Sequence, residues 1–161
     1  MIRAAHEADL PAILAIYNDA VLNTTAIWNE APSDLTTRRA WFDTRRAAGF
    51  PVLAAEENGL VVGYGSFGDF RPFDGYRVTV EHSLYVAADA RGRGHGSALL
   101  TALIDEARVL EKRVMIGGID ATNTPSLALH AKFGFVEVGR LPGVGEKFGR
   151  PLDLVLMQKT L

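Results

Sequence analysis

The chain has 161 residues, of which 48% are hydrophobic and 22% charged, a composition typical of one globular domain with its own core. It contains no cysteine, which excludes disulfides, thiolate metal sites and cysteine nucleophiles. The formal charge of −2 offers no basic excess for nucleic acid. No apolar run approaches the roughly 18 residues of a membrane span, and residues 1–4 lack the character of a signal peptide. We expect a single cytoplasmic domain over residues 1–161, with no nucleic-acid, membrane or metal partner.

Hydrophobic periodicity and turn residues divide the chain into helices and strands. In chain order the predicted elements are a strand at Ile2–Ala4, a helix capped by Asp9, a helix from Ser33 or Asp34 to Ala48, strands Pro51–Glu56 and Leu60–Phe67 around an Asn58-Gly59 turn, a central strand at about Tyr76–Val86, a helix at about Gly94–Leu110, a buried strand Arg113–Ile119, a helix from Thr124 to Gly134, and strands Phe135–Val138 and Leu152–Lys159. A glycine-rich loop is predicted between the last two strands, at Gly139–Pro151. Antiparallel strands followed by one strand-helix-strand crossover predict an α+β domain with a mixed sheet.

A glycine-rich basic loop joins the central strand to the following helix, and its sequence is R-G-R-G-H-G-S at residues 91–97. Free backbone N–H groups at a helix N-terminus and the helix dipole both attract anions. Glycines in such a loop allow the backbone to approach a pyrophosphate closely. The loop lacks the G-K-[ST] ending of a P-loop and the spacing of a dinucleotide-binding fingerprint. We therefore predict a phosphate-binding loop of another kind, the alternative being a solvated loop.

The central strand alternates between apolar and polar residues, which predicts two different faces. The apolar face comprises Val78, Val80, His82, Leu84 and Val86, and the polar face comprises Arg77, Thr79, Glu81, Ser83 and Tyr85. The polar face is either solvent-exposed or the lining of a ligand site. Because the anion-binding loop begins five residues after Val86, we favour the ligand site.

Two motifs resemble those of the GCN5-related N-acetyltransferase (GNAT) family. The pattern Arg91-x-x-Gly94-x-Gly96 resembles that family's pyrophosphate loop, and Asn123-x-x-Ser126 with Gly134-Phe135 resembles its second coenzyme A motif. Four further stretches resemble the phosphinothricin and methionine sulfoximine acetyltransferase subfamily: Thr25–Glu30, Gly68–Phe73, Val80–Val86 and Lys147–Asp153. The resemblance covers nearly the whole chain. It implies a GNAT-like, mostly antiparallel sheet flanked by helices, acetyl-CoA as co-substrate, and a homodimer.

The resemblance also implies roles for individual residues. Cofactor binding is implied for Leu84, Tyr85, Val86, Arg91, Gly92, Arg93, Gly94, His95, Gly96, Ser97 and Asn123, with the backbone of Leu84 and Val86 pairing with the pantetheine arm. Substrate binding is implied for Arg71, Pro72, Phe73, Glu81, His82 and Ser83. Glu81 is the candidate general base, because an acceptor ammonium must lose a proton before its nitrogen can attack a thioester. Its alternatives are a ligand of the substrate ammonium and a cross-strand ion pair.

Several of these residues have alternative interpretations. Arg71 or Arg77 suits a substrate carboxylate, because arginine forms bidentate pairs with such groups, and the alternative for each is a solvated arginine. His130 stands where the broad family often has a tyrosine that protonates the leaving thiolate, and it either acts as an acid or only packs. His82 is either a core histidine or a site residue, and Asn123 is either a pantetheine ligand or a helix cap. Lys147 and Phe148 could reach the site of a neighbouring subunit.

We predict an N-acetyltransferase that moves the acetyl group of acetyl-CoA to the α-amine of a small amino-acid analogue. The resemblance implies L-methionine sulfoximine, methionine sulfone or phosphinothricin as the acceptor and detoxification as the role. Transfer is direct, since the chain has no cysteine to form an acyl-enzyme. The alternatives are an acetyltransferase for another amine, such as another amino acid or a protein N-terminus, and a non-catalytic coenzyme A-binding module.

Overall fold

The computed structural model describes residues 1–161 and contains four α-helices around one seven-stranded sheet. The helices are α1 (Leu10–Asn23), α2 (Leu35–Ala47), α3 (His95–Val109) and α4 (Thr124–Lys132). The strands are β1 (Ile2–Ala4), β2 (Val52–Glu57), β3 (Leu60–Asp69), β4 (Thr79–Val86), β5 (Val114–Asp120), β6 (Val136–Lys147) and β7 (Arg150–Thr160). None of the helices has the length and hydrophobicity needed to cross a bilayer.

The strand order in the sheet is β1-β2-β3-β4-β5-β7-β6. The pair β4–β5 is parallel and every other pair is antiparallel. Helix α3 supplies the crossover that a parallel pair requires. The predicted α+β class with a mixed, mostly antiparallel sheet is therefore confirmed.

The two parallel strands separate partway along their length. Pairing between β4 and β5 is confined to Thr79–Glu81 opposite Val114–Ile116, although β4 continues to Val86 and β5 to Asp120. The side of residues 83–86 that faces β5 therefore has no strand partner. This divergence opens the sheet at its centre.

Apolar clusters cover the two faces of the sheet. On one face α3 packs through the residues predicted from its periodicity, which are Leu99, Leu100, Leu103, Ile104 and Ala107, all buried. On the other face, α1 and α2 pack on β2 and β3 around Phe42 and Tyr64. The faces predicted for β4 are confirmed within the strand, since Val80, Leu84 and Val86 join the first cluster and Tyr85 packs on the second.

Three predictions about local structure were wrong. The segment predicted as a loop at Gly139–Pro151 is mostly strand, because β6 runs to Lys147 and β7 begins at Arg150. Its glycines accommodate two irregularities in the β6–β7 register, and Phe148-Gly149, both with positive φ, form the turn. The central strand begins at Thr79 because residues 74–76 form a 3-10 turn. Asp9 occupies the predicted N-cap position of α1 but makes no capping hydrogen bond there; its carboxylate accepts from the His6 backbone N–H and pairs with Arg3 at 2.7 Å.

The remaining predicted elements differ from the observed ones by at most two residues at either end. Asp34 caps α2, since its Oδ1 accepts from the Thr37 N–H at 2.7 Å. Asn58 and Gly59 have φ values of 52° and 78° and form the predicted hairpin turn.

Candidate active site

A cleft of about 770 Å³ opens where β4 and β5 separate. Its walls are the C-terminal half of α1 with residues 24–26, the end of β4, the start of α3 and the start of α4. A smaller cavity of about 80 Å³ lies between β4 and β5 and includes His82, Gly117 and His130 in its lining. The two spaces share Leu84, Tyr85 and other walls, so the cleft leads towards the centre of the sheet.

The loop at residues 91–97 presents free backbone donors to this cleft. None of its backbone N–H groups donates a hydrogen bond within the protein, and no side chain caps α3. Gly92 and Gly94 have φ values of 76° and 89°, a conformation that glycine adopts without strain. Successive free N–H groups at the N-terminus of a 15-residue helix form a cradle that suits a pyrophosphate.

The basic side chains of the loop differ in where they point. Arg91, Gly92, His95 and Gly96 line the cleft, whereas Arg93, Gly94 and Ser97 do not. Arg93 instead pairs with Glu57 at 2.6 Å and donates to the Asp89 carbonyl. The loop therefore meets a ligand mainly through its backbone and one arginine.

Glu81 lies on β4 just before the strands separate. Its neighbour across β3 is Gly68, and its Oε1 lies 3.3 Å from where a β-carbon on Gly118 of β5 would be. Desolvation of the carboxyl group raises its pKa, and attraction to Arg71 and Arg45 opposes this. A carboxylate with a raised pKa, still open to solvent on one side, is suited to accept a proton.

His82 and His130 form a hydrogen-bonded pair beside the smaller cavity. Their Nε2 atoms are 3.0 Å apart, their rings are stacked, and both side chains are buried. His130 Nδ1 lies 2.7 Å from the Ser126 carbonyl oxygen and must donate to it. Burial lowers the pKa of both histidines, that of His82 to about 3.

Comparison with known proteins identifies the family of this chain. The model of the acetyltransferase (GNAT) family matches residues 13–135, more than half of the chain. The chain belongs to the GNAT family. It is an acetyl-CoA-dependent N-acetyltransferase, and the cradle of free N–H groups at α3 fits the pyrophosphate of that co-substrate.

Individual members of the GNAT family are similar to the chain over nearly its whole length. The chain is 57% identical, over 99% of its length and 94% of the relative's, to L-methionine sulfoximine/L-methionine sulfone acetyltransferase of Pseudomonas aeruginosa. A Brucella melitensis structure, described as a ribosomal-protein-alanine N-acetyltransferase, is 58% identical with a TM-score of 0.99, covering 100% of this chain and 99% of that one. A phosphinothricin acetyltransferase of Sinorhizobium meliloti, solved with acetyl-CoA, is 38% identical with a TM-score of 0.97 over 100% and 88% of the two chains.

The residues predicted for this GNAT site fall in three places. Leu84, Tyr85, Val86 and Asn123 line the cleft. Asn123 caps α4, since its Oδ1 accepts from the Ser126 N–H, which confirms its interpretation as a helix cap. His82 and Ser83 line the smaller cavity. Arg71, Pro72 and Phe73 lie on an exposed loop outside both spaces, near Glu81; the exposed fraction of Phe73 is 70%.

Lys147 does not reach towards a neighbouring subunit, which corrects that prediction. Its ammonium is buried and donates to the carbonyl oxygens of Val21, Thr24 and Ile27 at 2.5–2.6 Å. Phe148 lines the cleft of its own chain with 52% of its surface exposed. Arg77 lies before β4 and donates to the Asp74 carbonyl.

Sequence reasoning missed the residues that α1 and α2 contribute. The segment after α1 lines the cleft, and there the Thr25 hydroxyl donates to the Asp120 carboxylate at the end of β5. Arg45 of α2 lies close enough to Glu81 to influence its pKa. Neither contact has a local sequence signal, since the partners are separated by 95 and 36 residues.

Proposed function

We propose that this GNAT enzyme transfers the acetyl group of acetyl-CoA to the α-amine of an L-amino-acid analogue, such as L-methionine sulfoximine, methionine sulfone or phosphinothricin. The observation that carries the proposal is the position of Glu81. This carboxylate has a raised pKa, lies at the last position of β4 that pairs with β5, and has arginines nearby that can attract an acidic acceptor. The named activities of the Pseudomonas and Sinorhizobium relatives support the same substrate class.

The cleft supports a binding mode for acetyl-CoA. The N–H groups of residues 91–97 would hold its pyrophosphate, with Arg91 and His95 beside them. The unpaired edge of β4 at Leu84–Val86 would hydrogen-bond the amides of the pantetheine arm as a neighbouring strand would. When bound, acetyl-CoA supplies an activated thioester at the point where β4 and β5 separate.

Glu81 acts as the general base in this proposal. It takes a proton from the acceptor ammonium, directly or through a water, and the free amine then attacks the thioester carbonyl. The C–S bond breaks, and coenzyme A leaves as a thiolate that receives the second proton of the amine. Transfer is direct, because no cysteine is present to carry the acetyl group. His130 is assigned no proton transfer, since its Nδ1 is bonded to the Ser126 carbonyl and its Nε2 to His82.

We also propose that the enzyme is a cytoplasmic homodimer with one acetyltransferase domain over residues 1–161. Edge strand β6 exposes a row of apolar side chains that suits a subunit interface, comprising Val136, Val138, Leu141 and Val144. Analytical ultracentrifugation tests the dimer, and a monomer at micromolar concentration would contradict it.

Thiol release from acetyl-CoA tests the proposed activity. Purified protein is assayed with L-methionine sulfoximine, methionine sulfone, phosphinothricin, unmodified amino acids and a peptide with an N-terminal alanine. The peptide is included because of the activity named for the Brucella relative. We expect turnover with the amino-acid analogues. Turnover with the peptide alone would overturn the substrate class, and acetyl-CoA binding without thiol release would indicate a non-catalytic module.

A further inference from the structure

Arg45 of α2 is a partly buried arginine without a partner in the protein. Its Nε is buried and makes no hydrogen bond, and the guanidinium forms no ion pair. Arg38, seven residues or about two helical turns earlier, also has a buried unpaired Nε, but its guanidinium stacks on the rings of Tyr17 and Trp41 at 4.1 and 4.5 Å. No aromatic ring lies under the Arg45 guanidinium. Its positive charge therefore has neither a carboxylate nor an aromatic partner in direct contact.

Gly68 provides the space that the Arg45 guanidinium occupies. A β-carbon on Gly68 would overlap its Nη1 atom, so any other residue at this position in β3 would displace the guanidinium. Gly68 is the β3 partner of Glu81, which places the Arg45 side chain beside Glu81 on the same face of the sheet. On its other side, Glu81 lies over Gly118 of β5.

The charged groups around Arg45 leave its donors available. Burial lowers the pKa of Arg45; Asp69 and Glu81 attract it and Arg38 repels it, all from beyond ion-pair distance. Desolvation raises the pKa of Glu81, and Arg71, in the loop after β3, opposes this rise by electrostatic attraction. The Arg71 guanidinium lies 5.1 Å from the centre of the Phe70 ring. Two guanidinium groups therefore flank one carboxylate, and neither is neutralised by direct contact with it.

This arrangement matches the two charged groups of an α-amino acid. Its amine and carboxylate are attached to the same carbon, so a base that reaches the amine must have a carboxylate ligand within a few ångströms. A guanidinium with free N–H groups binds a carboxylate in bidentate fashion. An unpaired, desolvated arginine does not stabilise the fold, which argues for a ligand as its partner.

We propose that Arg45 binds the α-carboxylate of the acceptor and thereby restricts the enzyme to free amino acids. The inference rests on the proposed function and deepens it. Arg71, on the exposed loop, contacts the more variable side of the acceptor. A peptide N-terminus or a simple amine lacks the carboxylate and leaves the Arg45 donors unpaired, so both are poor acceptors.

The test compares methionine sulfone with its carboxamide as acceptors for the wild type and the Arg45→Gln variant. The wild type is expected to prefer the acid, and Arg45→Gln should reduce kcat/KM for the acid about 10- to 100-fold, with little change for the carboxamide. Arg45→Lys should restore part of the preference. Arg46→Gln is the matched control, because Arg46 is exposed and lies over the Phe42 ring.

Gly68→Ala and thermal unfolding provide independent readouts. Gly68→Ala keeps the Arg45 charge but displaces the guanidinium, so it should lower the acid preference in the same direction. The melting temperature of Arg45→Gln should equal or exceed that of the wild type. An equal loss of activity with acid and carboxamide would overturn the proposal, since it would mean that Arg45 acts through Glu81 or the fold.

The outcomes separate this inference from the proposed function. A wild type that prefers the acid, with the same preference in Arg45→Gln, would contradict the role of Arg45 and leave the proposed acetyl transfer intact. A wild type that acetylates neither methionine sulfone nor any other amino acid would contradict the proposed function, and the assignment of Arg45 with it.

Discussion

The Nε2 atoms of His82 and His130 lie 3.0 Å apart, within a buried pair of stacked imidazoles. The hydrogen-bond partners fix the tautomers of both rings. His130 donates its Nδ1–H to the Ser126 carbonyl, so its Nε2 is an acceptor, and the proton between the rings belongs to His82. His82 Nδ1 is then an acceptor, and it is buried without a protein partner. Both rings are neutral in this arrangement. A proton on His130 Nε2 would place two donors face to face, and a proton on His82 Nδ1 would leave a buried donor without a partner.

The histidine pair predicts that stability falls as the pH drops from about 6.5 to 5. Burial lowers the folded-state pKa of both rings, that of His82 to about 3, whereas an unfolded histidine has a pKa of about 6.5. In this range the unfolded chain binds more protons than the folded one, so acidification favours unfolding. Each histidine should contribute up to about 1.4 kcal/mol per pH unit. Urea unfolding followed at several pH values measures this slope.

A His82→Gln variant isolates the contribution of one histidine. Between pH 6.5 and 5, the slope of its unfolding free energy against pH should be smaller than that of the wild type. The difference should be up to about 1.4 kcal/mol per pH unit, which corresponds to one proton. His6→Gln is the control, because His6 is exposed near the N-terminus. A slope that is the same in the wild type and His82→Gln would mean that His82 is protonated in the folded protein, and would contradict the tautomers above.

The Glu81→Gln substitution should separate chemistry from cofactor binding. Glutamine keeps the shape of the side chain but cannot accept the ammonium proton, so kcat should fall by roughly 100- to 10,000-fold. The Kd of acetyl-CoA, measured by calorimetry, should change little, because Glu81 does not line the large cleft. Equal losses in turnover and cofactor affinity would show that Glu81 is structural.

The pH dependence of turnover provides a second measure of the same group. A general base works only when deprotonated, so activity should be lost as the pH falls through the pKa of Glu81. That pKa is raised by desolvation, and the acidic limb of kcat/KM should lie above the usual pKa of a glutamate. The acidic limb should be absent from the residual activity of Glu81→Gln.

Two glycines of the cofactor loop should respond differently to alanine. Gly94 has a φ of 89°, where a β-carbon costs about 1–2 kcal/mol although no atom lies in its way. Gly94→Ala should therefore destabilise the fold and weaken acetyl-CoA binding, since relief of the strain moves the free N–H groups. Gly96 is helical, and its β-carbon would meet Leu129 at an ordinary 3.4 Å. Gly96→Ala should retain the affinity for acetyl-CoA within a few-fold. Equal effects of the two substitutions on affinity would mean that the positive φ of Gly94 does not matter for binding.

Local signals in the sequence predicted the backbone geometry of the loop at residues 91–97 well. Free N–H groups at a helix N-terminus and glycines with positive φ depend on neighbouring residues, and Arg91–Ser97 contains both in one loop. Alternation along β4 likewise predicted that Leu84 and Tyr85 point in opposite directions. Glycine-rich sequence was misleading at Gly139–Pro151, because strand bulges use glycine as readily as loops do.

The acceptor side depends on contacts between distant segments, which the sequence does not reveal. Arg45 is brought to Glu81 only by the packing of α2 on β3, and the space it needs comes from Gly68. His82 and His130 are 48 residues apart and meet because Gly117 on β5 leaves room for both rings. Such pairs are set by tertiary structure, and no periodicity or motif predicts them.

Lys147 should be essential for the position of the segment that follows α1. All three protons of its buried ammonium are donated to backbone carbonyl oxygens, at Val21, Thr24 and Ile27. These carbonyls lie at or just beyond the C-terminus of α1, where a positive charge also interacts favourably with the helix dipole. Residues 24–26 in turn line the cleft, so the lysine links the end of β6 to the cofactor-binding wall.

Lys147→Met should therefore reduce both stability and cofactor affinity. Methionine fills much of the volume but leaves three carbonyls without a donor, which should cost about 3–5 kcal/mol of unfolding free energy. The KM for acetyl-CoA should rise several-fold as residues 24–26 lose their anchor. Lys132→Met serves as the control, since Lys132 is exposed on α4 and should change neither quantity. Urea unfolding and steady-state kinetics measure the two effects. Wild-type stability in Lys147→Met would mean that water replaces the ammonium at no cost, and that the lysine does not hold this wall of the cleft.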